Sequence, residues 1–381
     1  LRLVGSEMCI RDRCWCWGEE PEALNVTIKG IGTVGGFGTG VAALRRALTD
    51  FTACPQTVTL DTSDGPIQIP ALLTDTADIQ SYVDKRALRR IDHYVRMALL
   101  GSFLALEDAG LLDSRPDRMG IIVATGYGAT CNTFDFQHSI IATGDPCGSP
   151  TKFSNSVHNA AAAHISIILK ELGPNLSVSH FDMSIPSALV TAVQWLKEER
   201  VESVLVGGVD EVCKVLGYYW HCRYGQSEQQ AQRAGQAASH RAIVGEGSCF
   251  FVLTREKEPT STYGCIEDVQ LGNFERGRVD VPKKSPVVLG ADGFNPYDTR
   301  YAELLPRDCR SLVYTPLYGA LPIGMAFDLA IAALTLASGK ICPPPTDILP
   351  AMSSGQSVRD TEKMVTNRVG CLKLGAGNAF G

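Results

Sequence analysis

The strongest constraint in this sequence lies between Gly173 and Glu211. Leu176-Ser177-Val178 reads as a short strand, a tight polar turn follows, and the next residues place apolar side chains at Leu189, Ala192, Val193 and Leu196, the i, i+3, i+4, i+7 spacing of an amphipathic helix. Ser184 is placed to cap that helix, and Pro186 falls in its first turn, where a missing N–H costs nothing. Lys197 comes near its end, and a second strand, Ser203 to Val206, runs into Gly207-Gly208-Val209-Asp210-Glu211. The pattern defines a buried βαβ unit. A strand that turns sharply into a buried helix is also where α/β enzymes present a nucleophile, because the turn exposes one side chain beside a helix N-terminus that stabilises negative charge. Periodicity alone leaves both readings open, since most such units carry no chemistry.

At 381 residues the chain can bury a large core and holds either two domains or one duplicated domain. A formal net charge of -6, with 20% charged residues, describes an ordinary globular protein, and no basic run or interleaved basic-aromatic stripe points to nucleic acid. The thirteen cysteines are scattered without any Cys-x-x-Cys pair, and several, such as Cys249, sit in apolar runs. That pattern predicts free thiols in a reducing cytoplasm rather than a disulfide or zinc framework. The most apolar stretch, Ile323 to Ala337, is interrupted by Asp328 and falls short of the roughly 20 residues a membrane span needs. Leu1 to Arg13 resembles translated sequencing-adapter read-through, so residues 1–22 are read as a non-native leader and set aside.

In chain order, Asn25 to Gly32 is a strand running into the glycine-rich turn Gly35-Gly36-Phe37-Gly38, followed by a helix from Val41 to Leu48. Gly-x-Gly-x-x-Gly is weak by itself and lacks an acidic partner on a second strand, so the turn is structural and no cofactor is expected. Residues 51–80 read as a polar excursion, and a long helix is predicted from about Val83 to Gly110. Met119 to Gly126 is a buried strand. From Pro150 to Leu172 a helix carries the small run Ala160 to Ala163, which suits a close helix interface, and His158 and His164 nearby are either packed or catalytic. Residues 217–240 read as a Gln-rich loop, Gly245 to Leu253 as a strand, and a second α/β set follows from Tyr263 to Leu374. Two consecutive sets predict a duplicated, mixed-sheet architecture.

Six segments, in order, resemble the β-ketoacyl-ACP synthase (ketosynthase) family: Asn25 to Gly38, Ile91 to Gly110, Gly173 to Val178, Gly207 to Glu211, Gly245-Glu246-Gly247 and the closing Leu374 to Gly381. The resemblance implies a thiolase-like α/β fold, duplicated mixed-sheet halves in α/β/α/β/α layers, with the halves at 23–260 and 261–381. It also implies the chemistry of joining an acyl group to a malonyl-type extender on acyl carrier protein. There a cysteine at a helix N-terminus takes the acyl chain, and two histidines assist decarboxylation and stabilise the enolate oxygen.

Those residues are missing. Counting from Gly173-Pro174, Asp182 stands at the position of the cysteine, and no cysteine lies between Cys147 and Cys213. Ser184 is the nearby side chain that offers an alternative nucleophile, and it would need a base. Asp292, in Ala291-Asp292-Gly293 and followed by Glu303, stands at the first histidine; Ala320, after Gly319, stands at the second. Thr315 matches the family's lysine and Ala376 its gating phenylalanine. Two neighbouring carboxylates would repel an enolate and a carboxylated extender. The resemblance therefore implies a degenerate member, similar to the chain-length-factor subunits that pair with an intact ketosynthase, in a fatty acid or polyketide-type pathway. Its partners would be acyl carrier protein and a homodimer or heterodimer mate. The alternatives are an acyltransferase working through Ser184, Asp182, Asp292, His158 or His180, and a purely structural protein.

Overall fold

The computed structural model describes residues 25–51, 53–62, 65–114, 118–144, 148–225, 243–256, 263–277, 279–281, 284–294, 298–306, 309–344, 361–364 and 366–381. The leader at 1–22 and residues 226–240 of the Gln-rich segment lie outside these.

The first part of the chain supplies strands β1 (Asn25–Gly35), β2 (Gly38–Thr39), β3 (Gln56–Thr62), β4 (Gly65–Leu72), β5 (Met119–Thr125), β6 (Asn175–Ser179), β7 (Ser203–Asp210), β8 (Val244–Gly245), β9 (Gly247–Glu256) and β10 (Cys265–Ile266). Between them run helices α1 (Gly40–Asp50), α2 (His93–Asp108), α3 (Thr130–Thr143), α4 (Pro150–Asn155), α5 (Ala160–Leu169), α6 (Ser184–Lys197) and α7 (Lys214–Trp220). The remainder supplies β11 (Gly272–Asn273), β12 (Pro286–Leu289), β13 (Arg310–Leu312), β14 (Lys340–Ile341), β15 (Glu362–Lys363), β16 (Gly370–Leu372), β17 (Leu374–Gly375) and β18 (Ala379–Phe380), with α8 (Tyr301–Leu304), α9 (Thr315–Tyr318) and α10 (Gly324–Ser338).

The main sheet runs β10-β1-β9-β7-β5-β6, with β2 folded onto β1. It is mixed: β5 is parallel to β6 and β7, whereas β9 is antiparallel to β7 and β1. Its central strands are apolar on both faces because both faces are covered. Ile122, Ala124, Val204, Val206, Phe251 and Leu253 face a cluster shared with α6 and α10, and the alternate residues Ile121, Val123, Leu205, Phe250 and Val252 face one shared with α2 and α5. A smaller parallel sheet, β13-β12-β16, repeats the arrangement. There Val288 and Leu312 point into the α6/α10 cluster, while Val287 and Leu289 meet Tyr301 and Phe380 on the far side. Helices, main sheet, helices, small sheet and α8 thus stack in the α/β/α/β/α order of a thiolase-like fold. Helices α6 and α10, from either side of residue 260, share one core, and β10, just past that boundary, pairs with β1.

Several local expectations give way to the structure. The supposed excursion at 51–80 contains the hairpin β3–β4, in which Leu60, Ile69 and Ala71 are buried. Pro66 and Pro70 obscure it in the sequence, and they are tolerated because β4 has a second neighbour, β8, only at Ala71 and Leu72. The long helix begins at His93, not Val83, since Asp92 caps it by accepting from the Val95 N–H at 2.8 Å and the preceding residues form separate 3-10 turns. The glycine-rich turn closes the β1–β2 hairpin before α1, rather than leading straight into it. Residues 217–225 are helical, packed where a Cβ on Gly217 would come within 2.8 Å of Ile69. The small run Ala160 to Ala162 meets the α2 cluster inside the chain. Lys85, Arg86, Arg89 and Arg90 form a short exposed basic run that the sequence reading passes over, and no described residue pairs with them in a salt bridge. No helix among the described residues is long and apolar enough to cross a membrane.

The crossing of β1 and α2 leaves no room for a side chain. A Cβ on Gly32 would lie 2.0 Å from the Gly101 carbonyl oxygen and 2.4 Å from the Ala105 nitrogen. Gly32→Ala is expected to cost about 3 kcal/mol, seen as a lowered urea midpoint at an unchanged m value. A midpoint matching that of the parent would contradict this packing.

Candidate functional site

The β6–α6 connection is a strained turn. β6 ends at Ser179, and Phe181 adopts a left-handed φ of 45°, a conformation that costs a non-glycine residue on the order of 1 kcal/mol. The 3-10 turn Phe181–Met183 then carries Asp182 directly onto the N-terminus of α6. The expected Ser184 cap is replaced by a tertiary contact. Ser184 is the first helical residue and is fully buried; its hydroxyl donates towards the carbonyls of Thr125 (2.9 Å) and Phe181 (2.7 Å) and accepts from the His180 N–H (2.8 Å). No imidazole or carboxylate is among these partners, so the base that a serine nucleophile requires is not beside it.

Asp182 meets a residue that the sequence reading overlooked. Lys373 follows β16, its backbone pairs with Gly381, and its side chain turns inward with 2% of the residue exposed. Its ammonium donates to the Gly290 carbonyl at 2.8 Å and stands 3.4 Å from Asp292 Oδ2 and 3.6 Å from Asp182 Oδ1. Asp292 Oδ1 accepts from the Phe294 N–H at 2.9 Å, and the carboxyl of Asp298 gathers the N–H groups of Asp292 (3.1 Å) and Gly293 (2.7 Å). Tyr301 completes the setting by accepting from the Leu374 N–H at 3.0 Å.

The two carboxylates, expected to repel an enolate and a carboxylated extender, are thus bridged by a cation. Burial alone would favour a neutral lysine, but Asp292, Asp182, Tyr301 and Asp298 outweigh it and hold the Lys373 ammonium well above its ordinary value. Burial raises Asp182, an effect that Lys373 opposes and Asp292 reinforces. It also pushes Asp298 up to about 7, helped by the charge of Asp292. Deeper in the same core, Asp328 of α10 accepts from the Tyr318 hydroxyl at 2.6 Å, leaves its Oδ2 without a hydrogen bond, and is raised by burial to about 7.

The remaining predicted positions separate from this triad. Ala320 is buried beside β8, its N–H donating to Ile243 and its carbonyl accepting from Gly245. With Tyr127, Glu211, Val212, Leu216 and Trp220 it lines a small cavity. Thr315 is spent on a 2.6 Å hydrogen bond to the Ala291 carbonyl, Glu303 is an exposed partner of Arg300, and Ala376 lies exposed in a 3-10 turn. His158 is exposed beside Gly128; His180 contacts Ser187 at 3.1 Å; His164 is half-buried, which lowers its pKa. No described hydrogen bond or ion pair joins these three to Asp182, Lys373 or Asp292. Among the described residues no group of three or more His, Cys, Asp or Glu is arranged to hold a metal ion. One signal for Lys373 does exist in the sequence: it is the lone charge in the apolar closing run Val369 to Leu374.

Residues 27–258 match the family model described as Beta-ketoacyl synthase, N-terminal domain, and the chain belongs to that family. It is 25% identical over 241 residues to 3-oxoacyl-[acyl-carrier-protein] synthase 2 of Coxiella burnetii, covering 61% of this chain and 58% of that protein. Against the chloroplastic 3-oxoacyl-[acyl-carrier-protein] synthase I of Arabidopsis thaliana it is 24% identical over 242 residues, covering 60% and 50%. The alignments thus span less than two thirds of these relatives' lengths. Among solved structures, a β-ketoacyl synthase from Burkholderia phymatum superposes with a TM-score of 0.73 at 14% identity, covering 94% of this chain and 98% of that one. The ishigamide ketosynthase/chain length factor gives 0.68 at 14% over the same shares. A type II polyketide ketosynthase in complex with its acyl-carrier protein gives 0.69 at 12%, again over 94% and 98%. At such identities these structures speak for the fold alone.

The buried acids set a pH dependence. A carboxyl raised from 3.8 to about 7 on folding contributes stability that is complete below the unfolded value and is lost as pH rises through the folded one. Stability should therefore decline between about pH 4 and pH 7. In Asp328→Asn, which keeps an acceptor for Tyr318 and removes the ionisable group, the decline should be shallower in urea titrations across that range. An unchanged slope would rule out Asp328 as a source.

Proposed function

We propose that this chain serves as a non-condensing partner subunit in a fatty acid or polyketide-type pathway, chain-length-factor-like in role, rather than condensing acyl groups by itself. The observation that carries the reading is Asp182, on the turn where the resemblance would put the nucleophile, ion-paired to buried Lys373. A carboxylate held by an ammonium is a poor nucleophile towards a thioester, and Asp292 and Ala320 offer no imidazole to an enolate.

Two surfaces support a partnered role. β6 is an edge of the main sheet, and the exposed apolar residues Ile167, Leu172 and Val190 flank it. An unpaired edge with apolar flanks favours a second subunit laid against it, either a second copy or an intact ketosynthase. The basic run Lys85, Arg86, Arg89 and Arg90 favours an acidic partner surface, the charge that an acyl carrier protein would have to offer there. The Ser184 reading has no comparable support, because that hydroxyl is buried and engaged on all sides.

The test offers radiolabelled acyl-ACP to the purified chain, alone and mixed with a cysteine-containing ketosynthase. No covalent label should appear on this chain, no condensation should occur without the partner, and a complex should form whose dissociation constant rises at least about tenfold in the Ile167→Asp/Val190→Asp variant. Label that disappears in Ser184→Ala would establish the acyltransferase reading instead. Condensation of acyl and malonyl carriers by the chain alone would overturn the proposal.

A further inference from the structure

Away from the Lys373 network, two cysteines remote in sequence share one corner of the main sheet. β7 ends at Asp210, and Glu211, Val212 and Cys213 lead from it into α7. Cys213 is 3% exposed and caps α7, its sulfur accepting from the Leu216 N–H at 3.3 Å. Cys131 stands in the first turn of α3 and is partly exposed. Its N–H donates to Glu211 Oε1 at 2.8 Å, and its Sγ lies 4.0 Å from the carbonyl oxygen of Val212, the residue immediately before Cys213. The Cys131 sulfur thus lies against the backbone that leads directly into Cys213, and both cysteines are free.

This environment differs from that of the apolar thiols of Cys249 and Cys371, which burial drives well up and leaves inert. The S–H of Cys131 stabilises a thiolate at Cys213; the backbone N–H groups of Leu216 and Val215 add to it against the cost of burial, and together they bring Cys213 down to about 7. Glu211, raised to about 7 by burial, sits against Cys131 as a proton acceptor. The small cavity lined by Glu211, Val212 and Leu216 borders the pair.

We propose that Cys131 and Cys213 are a redox-active dithiol that a hydroperoxide converts to a Cys131–Cys213 disulfide. The Cys213 thiolate attacks one peroxide oxygen. The O–O bond breaks as the S–O bond forms, and the departing oxygen takes up a proton to leave as an alcohol, or as water from hydrogen peroxide. The Cys131 sulfur then attacks the resulting sulfenic acid; the S–S bond forms, the S–O bond breaks, and the hydroxyl leaves as water with the Cys131 proton relayed through Glu211. The two sulfurs are oxidised by two electrons, the peroxide is reduced by two, and a dithiol reductant reverses the change. The bond would fasten the first turn of α3 to the start of α7 at the rim of the cavity that contains Ala320. The inference stands independently of the partner-subunit reading.

The experiment treats the reduced full chain with hydrogen peroxide, blocks remaining thiols with N-ethylmaleimide and maps the peptides by mass spectrometry. The expected result is a Cys131–Cys213 cross-linked peptide that has lost two hydrogens, forms at least about tenfold faster than the exposed Cys54 and Cys222 are oxidised, and is undone by dithiothreitol. Cys131→Ser should abolish the cross-link and leave Cys213 trappable by dimedone. The proposal fails if both cysteines remain alkylated once Cys54 and Cys222 are oxidised, if either one cross-links elsewhere, or if Cys131→Ser yields no dimedone adduct at Cys213. The map of the unmodified sequence decides the matter even where the variant does not fold.

Discussion

One buried ammonium governs the candidate site. An isolated charge of this size costs several kcal/mol to bury, and the cost is met only when partners surround it. Lys373 has three: the Gly290 carbonyl and the carboxylates of Asp182 and Asp292. Asp182 comes from the turn before α6, Gly290 and Asp292 from the loop after β12, and Lys373 itself from the end of β16, so a single cation ties the β6–α6 turn of the main sheet to the small sheet. Asp298 and Asp328 add further carboxyls close by, and burial raises both to about 7, so protons as well as Lys373 limit the negative charge that collects there.

This network gathers at the strand-to-helix turn between β6 and α6. The backbone that would present a nucleophile is intact: Phe181 is left-handed, Asp182 meets the N-terminus of α6, and Ser184 pins the turn to β5 through the Thr125 carbonyl. The chain belongs to the β-ketoacyl synthase family, and the proposed partner role rests on what these side chains can and cannot do.

Much of the fold was legible in the sequence. The βαβ unit from β6 to β7, the buried run of β9 and the helix α10 follow from apolar periodicity, and the glycine-rich ends follow from close backbone contacts. The β3–β4 hairpin was hidden because its prolines mimic a loop, and the start of α2 because Val83, Leu88 and Ile91 are buried without being part of the helix. At the site, counting along the chain singled out Asp182 and Asp292, but not their partner. Lys373 is 191 positions from Asp182 and 81 from Asp292, and only the tertiary fold brings a cation between them. The approach of Cys131 to the segment before Cys213 escaped for the same reason, since sequence spacing gives no sign of it.

The central claim is that the Lys373 ammonium is the counter-charge for Asp182 and Asp292. Its most direct measurement compares urea unfolding of Lys373→Met with that of the triple variant Lys373→Met/Asp182→Asn/Asp292→Asn near neutral pH. The single change should cost about 3–5 kcal/mol, because it leaves two carboxylates without their cation, and neutralising both should restore most of that loss. A Lys373→Met variant as stable as the parent, or a loss that persists in the triple variant, would contradict the account.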